Sequence, residues 1–355
     1  MLPFISVIIP VRNERAMLPR LLEQLLAQNY PPDRYEILVV DGRSIDGTPD
    51  LVSRRFRQRR VPIRVLHNPE IRSSAGRNVG VRAAVGDLFL FIDGHCSVPS
   101  RNLLEDTAAI LQRTGAACLC RAQPLLAPSP THTGEVIAAA SGSWFGRACN
   151  VFSRDTQNAG FIDPLVSASA YRREVFERVG LYDESFDACA DVEFNMRVRN
   201  AGFRAYIDPH LAIHYQPRPH LRALFRQMMR RGRGRMRLIR RHAGSASPRR
   251  LAPLGLVLST IVALLAWCTL PAVVAAVLTL PFAFFAGAVA VASFQLGSRH
   301  GATHAWKSLW IFAAMYYGLG AGLLIEFLQP RAAAQPAARL APRPQVEAAP
   351  SRRAA

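Results

Sequence analysis

The sequence predicts an α/β domain with a mostly parallel sheet and flanking helices, followed by C-terminal transmembrane helices. Short β-branched or aromatic runs alternate with helical leucine patterns over residues 5–98, as in a parallel sheet with crossover helices. A polar loop rich in Asp, Arg, Asn or Gly follows the predicted strands. Nearer the C-terminus, three apolar runs are each long enough to cross a bilayer.

The elements of the first domain alternate regularly. The predicted strands cover residues 5–10, 36–40, 62–66 and 89–92, and the predicted helices cover 16–27, 49–57 and 74–84. Neither a glycine-rich dinucleotide fingerprint nor a phosphate-loop lysine motif follows the first strand, which excludes those two nucleotide-binding classes. No basic segment precedes that strand, so we expect no cleavable signal peptide.

The formal charge of +19 comes almost entirely from arginine, and Lys307 is the only lysine. Such an excess indicates an anionic partner, which is a nucleic acid, a phospholipid or a phosphorylated substrate. The cysteines are scattered, and the Cys118–Cys120 spacing fits neither a zinc knuckle nor a redox motif. We therefore expect free thiols in a reducing compartment.

A polar tripeptide, Asp93-Gly94-His95, directly follows the fourth predicted strand. It lies at the edge where open α/β sheets bind ligands. In extended chain the side chains of Asp93 and His95 project to the same side, which makes them a candidate site for a divalent cation. The alternative is a turn that uses Asp and Gly for conformational reasons.

Three further carboxylates have two interpretations each. Asp41 and Asp46, after the second strand, either belong to a nucleotide site with Glu14 or cap the helix that begins near Thr48. Asp191 stands at the start of a predicted helix. It is either a general base, if that helix end opens onto the nucleotide edge, or a carboxylate that stabilises the helix N-terminus.

The segment 219–250 is basic and amphipathic, with apolar residues at 221, 224, 225, 228 and 229 on one face among arginines. This pattern predicts an interfacial helix on an anionic membrane surface, with nucleic acid as the rival partner. The uncharged or nearly uncharged runs that follow favour the membrane. They predict transmembrane helices, within residues 251–329, at about 251–270, 272–294 and 309–328.

The arginines before residue 251 place the N-terminal domain in the cytoplasm by the positive-inside rule. Three spans would then put the tail, residues 330–355, outside, although that tail carries several arginines. Either one of the three apolar segments is re-entrant, or the arginines of the short tail influence the membrane orientation only weakly. The Ala/Pro/Arg composition of the tail predicts disorder.

Five segments resemble, in the same order, the GT-A-fold family 2 glycosyltransferases, which are mostly inverting and use nucleotide-sugar donors. The resemblance covers roughly residues 4–240 and implies a GT-A (Rossmann-like) fold for residues 1–218. It is strongest to membrane-associated members of the succinoglycan type, which act in bacterial exopolysaccharide assembly. The matching segments are 6–14 (SVIIPVRNE), 40–48 (VDGRSIDGT), 75–80 (AGRNVG), 93–95 (DGH) and 191–197 (DVEFNMR).

The resemblance also implies roles for individual residues. Asp191 is the implied catalytic base, and Asp93 with His95 is the implied site for Mg²⁺ or Mn²⁺. The implied nucleotide-sugar-binding residues are Pro10, Arg12, Glu14, Asp41, Asp46, Arg77 and Asp93. The implied ligands of the acceptor phosphates are Arg230, Arg231, Arg233 and Arg235.

The implied reaction transfers a sugar with inversion to a polyprenyl-diphosphate-linked saccharide at the cytoplasmic face of the bacterial inner membrane. UDP-glucose is the family-level expectation for the donor. Anionic membrane lipids, and no nucleic acid, are the expected partners of the arginine-rich segment.

The sequence departs from the family's pattern at three places. Arg43 stands within the nucleotide-binding segment, and His95 replaces the second Asp of the DxD metal motif, which Mn²⁺ tolerates. Residues 227–231 (QMMRR) lack the tryptophan of the QxxRW motif, which argues against processive polymerisation. These departures keep an alternative open, a catalytically degenerate membrane scaffold that binds nucleotide or lipid.

Overall fold

The computed structural model describes residues 2–121, 131–147, 149, 158–166, 168–330 and 340. Its strands are Ile5–Val11 (β1), Tyr35–Asp41 (β2), Ile63–His67 (β3), Leu88–Phe91 (β4), Cys96–Ser97 (β5), Cys118–Cys120 (β6), Gly160–Ile162 (β7), Ala168–Arg172 (β8), Ala205–Ile207 (β9) and His214–Tyr215 (β10). Its α-helices are Leu18–Leu26 (α1), Thr48–Arg55 (α2), Ser73–Ala83 (α3), Leu103–Thr114 (α4), His132–Gly142 (α5), Trp144–Arg147 (α6), Arg173–Val179 (α7), Ala190–Asn200 (α8), Leu221–Arg241 (α9), Pro248–Thr269 (α10), Ala272–His300 (α11) and Ala302–Leu328 (α12).

The main sheet is mixed and mostly parallel, which confirms the predicted fold class. Its strand order is β3-β2-β1-β4-β8-β6-β9-β7. The first four strands are mutually parallel, while β8 runs antiparallel to both of its neighbours and β7 antiparallel to β9. The carboxyl ends of β1, β2 and β4 therefore meet at one edge of the sheet.

The central strands are buried on both faces because helices cover the sheet on both sides. One charged side chain inside this layer, Glu36, is compensated by neighbours. It accepts hydrogen bonds from the Ser6 hydroxyl at 2.7 Å and the Arg64 guanidinium at 2.8 Å. A buried carboxylate with such partners avoids most of the desolvation cost of an isolated charge.

The chain leaves the sheet after Phe91 and turns. The amide of Cys96 donates to the carbonyl of Asp93 at 3.0 Å, and Cys96 then pairs with Tyr215 in the small antiparallel sheet of β5 and β10. Asp93 and His95 therefore sit in a turn, which was the alternative prediction. The expectation of extended chain at these two residues is wrong. The turn still brings both residues to one cavity, described below.

The predicted basic helix forms as α9, but its apolar face is covered by α12. The two helices approach closely because glycines lie between them. A Cβ atom on Gly232 would lie 2.1 Å from the carbonyl oxygen of Leu319, and one on Gly322 would lie 2.0 Å from that of Met229. Gly318 and Gly322 form a Gly-x-x-x-Gly spacing on α12, which is typical of helix pairs in close backbone contact.

We expect the substitution Gly232→Ala to separate α9 from α12 and destabilise the folded protein by about 1–3 kcal/mol, the usual cost of overpacking. Thermal unfolding of the detergent-solubilised protein measures this effect. Gly255→Ala in α10 is the matched control, since its added Cβ would meet no atom within 4 Å. If both variants melted with the wild type, the close packing of α9 on α12 would be wrong.

In the part of the chain that the structure describes, three helices are long and apolar enough to cross a membrane, namely α10, α11 and α12. The third begins at Ala302, earlier than the predicted residue 309. The prediction of disorder for residues 330–355 lies outside the described residues except at Pro330 and Leu340. Of these two, Leu340 is buried, with 8% of its surface exposed.

Candidate active site

A cavity of about 550 Å³ opens at the carboxyl edge of the sheet, and we call it the outer cavity. The loop after β1, the turn after β4 and the N-terminal part of α3 form one side of it. The N-terminus of α8 and the first turns of α9 form the other. Its lining includes Pro10, Arg12, Glu14, Arg77, Asp93, His95, Asp191, Tyr215, Arg230 and Arg231.

The loop after β1 is held to the loop after β2 by hydrogen bonds. The backbone amide of Glu14 donates to the Thr48 hydroxyl at 3.1 Å, and that of Asn13 donates to the Ser44 hydroxyl at 2.8 Å. Asn13 adopts a left-handed backbone with φ of 57°, a conformation that asparagine tolerates better than most residues. This anchoring fixes Glu14 in the cavity wall.

The two carboxylates after β2 have different environments. Asp41 Oδ2 accepts from the amide of Ser44 at 3.1 Å, while its Oδ1 is buried with no hydrogen-bond partner among the described residues. Asp46 instead accepts from the amides of Thr48 and Arg15, each at 3.0 Å. Asp46 thus binds the first amide of α2 from the position before the N-cap Gly47. Neither carboxylate is among the residues that line the outer cavity.

Asp93 faces the buried guanidinium of Arg77, with Oδ1 3.4 Å from Nη2. Burial raises the pKa of this carboxyl, but Arg77, His95 and Arg121 more than offset burial and hold it below its ordinary value. The Arg77 guanidinium lies over the rings of Phe91 and Tyr182, 5.8 and 5.4 Å from their centroids. Asp93 is therefore ionised, and Arg77 is fixed at the cavity floor.

His95 is held by Glu14 and Tyr215. Its Nδ1 lies 3.0 Å from Glu14 Oε1, and its ring packs edge-on against Tyr215 at 4.7 Å between centroids. Burial lowers the pKa of His95, but Tyr215, Glu14 and Asp93 together raise it to about 10. Its Nε2 is buried with no hydrogen-bond partner among the described residues.

These residues fit a divalent cation. Glu14 orients one imidazole nitrogen of His95, as the carboxylate partner of a metal-binding histidine does. Because the pKa of His95 is raised to about 10, a cation would have to displace the proton from the other nitrogen on binding. Asp93 adds an ionised oxygen donor. The described residues contain no group of three metal-ligating side chains, so two protein donors are what the site offers, and a cation bound there would take its other ligands from substrate or water.

Asp191 occupies the first turn of α8 and lines the outer cavity. The helix has Cys189 at its N-cap, with no side-chain capping bond. Within the described part of the chain, no hydrogen bond or ion pair engages the Asp191 carboxylate. Asp191 thus makes no capping bond, although its place in the first turn suits the dipole of α8. This half-buried carboxylate is available to a ligand.

A second cavity, of about 210 Å³, lies behind Asp191, and we call it the inner cavity. It shares Arg77, Asp93, Asp191 and Arg231 with the outer cavity. Its own lining adds three arginines, Arg121, Arg235 and Arg250.

The arginines of the inner cavity give it a positive potential. Arg235 is 7% exposed and donates to the carbonyl of Cys149 at 3.4 Å, and it has no ion pair among the described residues. Burial lowers the pKa of Arg235, and the charges of Arg231 and Arg250 add to the decrease. Burial also lowers the pKa of Arg121, to about 10. The cavity is thus suited to an anion.

The structure brings most of the predicted site residues together but leaves Asp41, Asp46 and Arg233 outside both cavities. Asp46 stays within the loop before α2. Arg233 pairs with Glu326 on α12 at 3.1 Å, away from both main cavities. Sequence reasoning missed Arg121, Arg250 and Tyr215. Only Arg250 carried a signal, since the arginines of the segment 219–250 were interpreted as contacts with the membrane surface and as determinants of membrane orientation.

The chain matches the family model Glycosyl transferase family 2 over residues 6–180. Succinoglycan biosynthesis protein ExoA of Rhizobium meliloti is 30% identical over 253 residues, which cover 70% of this chain and 74% of that protein. Dolichyl N-acetyl-alpha-D-glucosaminyl phosphate 3-beta-D-2,3-diacetamido-2,3-dideoxy-beta-D-glucuronosyltransferase of Methanococcus voltae is 26% identical over 249 residues, with 67% and 74% of the two chains covered.

Among solved structures, the chain is similar to the mannosyltransferase PcManGT from Pyrobaculum calidifontis, whose structure contains GDP-Man and Mn²⁺. The TM-score is 0.59 at 18% identity, over 92% of this chain and 88% of the other. At this identity the likeness shows the fold alone. The sheet and helices described above therefore have the GT-A arrangement.

Proposed function

The chain belongs to glycosyl transferase family 2, and from this premise we propose that it transfers a sugar, with inversion, from a nucleotide-sugar donor to a lipid-linked saccharide. The observation that carries the proposal is the position of Asp191. This carboxylate has no partner among the described residues, and it lies in the wall shared by the outer and inner cavities. A group there reaches both a donor in one cavity and an acceptor in the other.

The outer cavity is the proposed donor site. The loop after β1, with Pro10, Arg12 and Glu14, lies beside the nucleoside. Asp41, which pairs with Val11 at the end of β2, is the proposed further hydrogen-bond acceptor for the nucleoside, although it does not line the cavity. Arg77 binds the diphosphate, since a guanidinium with a fixed orientation suits phosphate oxygens. UDP-glucose remains the proposed donor, on the family resemblance.

Asp93 and His95 are the proposed holders of Mg²⁺ or Mn²⁺. When bound, such a cation neutralises the charge that develops on the departing nucleoside diphosphate. Glu14 keeps the His95 ring in place through Nδ1, which would leave Nε2 as the nitrogen that holds the cation. Arg77 stabilises the same leaving group from the other side of Asp93.

Asp191 is the proposed general base. It accepts the proton of the acceptor hydroxyl as that oxygen attacks the anomeric carbon and the bond to the diphosphate breaks. One displacement by one base inverts the anomeric configuration. We assign the acceptor to the inner cavity, on the side of α10, because Arg231, Arg235 and Arg250 line that cavity and suit its phosphates.

The stereochemistry of the product tests this mechanism. The purified protein is supplied with a UDP-α-sugar and a lipid-linked acceptor, and the anomeric coupling constant of the product is measured by NMR. A β linkage is the expected result. An α linkage would show a two-step or front-side reaction and would contradict the role given to Asp191.

We expect Arg235→Gln to raise KM for the lipid-linked acceptor by about 10- to 100-fold, because a hydrogen bond to a charged group is worth about 1.5–3 kcal/mol. KM for the nucleotide sugar should stay unchanged. Arg222→Gln on the exposed side of α9 is the matched control and should alter neither constant. An equal rise of both KM values in Arg235→Gln would place that arginine in the donor site instead.

A further inference from the structure

Helix α12 packs on α10 and α11 and, in both of its halves, also on elements that precede them in the chain. Its first half packs on α5 and α6. Lys307 Nζ lies 3.3 Å from His132 Nδ1, the ring of Phe312 lies 5.3 Å from that of Phe145, and the Tyr316 hydroxyl donates to the Phe145 carbonyl at 2.9 Å. A helix that crossed a bilayer would have about 20 residues in the hydrocarbon layer and its two ends on opposite sides of the membrane.

The second half of α12 packs on α9. The buried Glu326 pairs with Arg233 at 3.1 Å and with Arg237 at 2.6 Å. Arg240 donates to the carbonyl of Phe327 at 2.7 Å. The end of α12 is therefore held by guanidinium groups on a helix that precedes the membrane region.

The helix α9 itself is tied to the N-terminal domain and lies outside the hydrocarbon layer. Arg230 forms two hydrogen bonds of 2.9 Å with Asp187, and Arg237 donates to the carbonyl of Ser185 at 2.8 Å. Charged side chains are costly at the bilayer centre, and α9 is rich in arginine. Since α12 runs beside α9, its second half is also outside the bilayer centre.

An independent observation comes from the chain beyond α12. Leu340 is buried in the apolar cluster that also contains Phe194 and Leu238. This cluster belongs to the N-terminal domain, on the same side of the membrane as α9. The chain between α9 and Leu340 must therefore cross the bilayer an even number of times.

The outward surfaces of the three helices agree with this count. The helices α10 and α11 are mostly exposed, with large apolar side chains such as Leu264, Val273 and Phe284 facing outward. On α12 the exposed large apolar residues are few and include Trp306 and Trp310 near its start. Tryptophan is enriched at the membrane interface.

We propose that α10 and α11 form a hairpin that crosses the bilayer and returns, and that α12 lies in the plane of the membrane beneath the N-terminal domain. Both ends of the chain are then on the same side. This arrangement keeps the arginine-rich tail on the side of the N-terminal domain, which the positive-inside rule favours. It also places Arg250, at the start of α10, at the level of the lipid headgroups.

Cysteine accessibility tests this topology. The exposed Cys268 is first replaced by Ser, and single cysteines are then introduced as Leu270→Cys in the α10–α11 turn and Pro330→Cys after α12, both at exposed positions. Spheroplasts of a Gram-negative host that carry the full chain are treated with a membrane-impermeant maleimide. Labelled peptides are identified by mass spectrometry before and after permeabilisation.

We expect the Leu270→Cys variant to be labelled in intact spheroplasts and the Pro330→Cys variant to be labelled only after permeabilisation. Labelling of Pro330→Cys in intact spheroplasts would establish a third span and overturn the proposal. If Leu270→Cys also required permeabilisation, the hairpin would not cross, and the proposal would equally fail. An epitope appended after Ala355 repeats the test without altering helix packing, and it should be protected from protease until permeabilisation.

Discussion

Replacing Asp191 by Asn is expected to reduce sugar transfer by about 10²- to 10⁴-fold, the usual contribution of a general base. The side chains are nearly isosteric, and no hydrogen bond or ion pair engages Asp191 among the described residues, so the fold should be unaffected. Binding of the donor nucleotide should persist, because Asp191 is not among the residues proposed to hold it. Single-turnover assays and calorimetric titration with UDP measure the two quantities separately.

The matched control for this experiment is Asp163→Asn. Asp163 forms a surface ion pair with Arg199 at 3.6 Å and lines neither cavity. Its variant should transfer sugar at the wild-type rate. If Asp191→Asn also did so, another group would have to be the base. The assignment of donor and acceptor to the two cavities, which rests on Asp191 in their shared wall, would then be unsupported.

Asp93→Ala should abolish the metal dependence of donor binding. In the wild type, Mn²⁺ should tighten UDP binding by at least about 10-fold. Removal of a residue that supports a metal ligand already weakens metal binding by at least that factor. In the variant, Arg77 loses its 3.4 Å partner and stays free to attract the diphosphate. Weak, metal-independent binding should therefore remain.

Calorimetric titration of UDP with and without Mn²⁺ measures this prediction. Asp33→Asn, at an exposed position before β2, is the control and should keep the full metal effect. If Mn²⁺ tightened UDP binding by Asp93→Ala as much as it does for the wild type, the prediction would be wrong. That outcome would move the metal site away from the turn after β4.

The order of the first four strands and their helices was predictable because each element has a clear local pattern. The boundaries of β1 and β2 agree with the predicted strands to within one residue at either end. The antiparallel insertion of β8 between β4 and β6 was not predictable, since the five residues Ala168–Arg172 show nothing of their partners. Strand pairing is a long-range property that a short local pattern does not encode.

The candidate site was predictable where a residue type and its position indicate a single role. It was less predictable where the same residue type at a similar position can either bind backbone amides or bind a ligand. Asp46 and Asp191 both stand near helix starts in the sequence, yet Asp46 is engaged by backbone amides and Asp191 is not. The apolar face of α9 likewise had to be buried against something, but the sequence did not show whether lipid or another helix, here α12, would bury it. The glycine spacing of Gly318 and Gly322 was the available signal for a helix partner.

The central claim is that the chain carries a sugar from a nucleotide to a lipid-linked acceptor. It is tested most directly with the purified full-length protein, a panel of radiolabelled UDP- and GDP-sugars, and membrane lipid extract. For at least one donor, the account predicts metal-dependent transfer of label into the lipid fraction, which Asp191→Asn abolishes. Nucleotide binding without release of sugar from any donor would contradict it and identify the protein as a membrane scaffold.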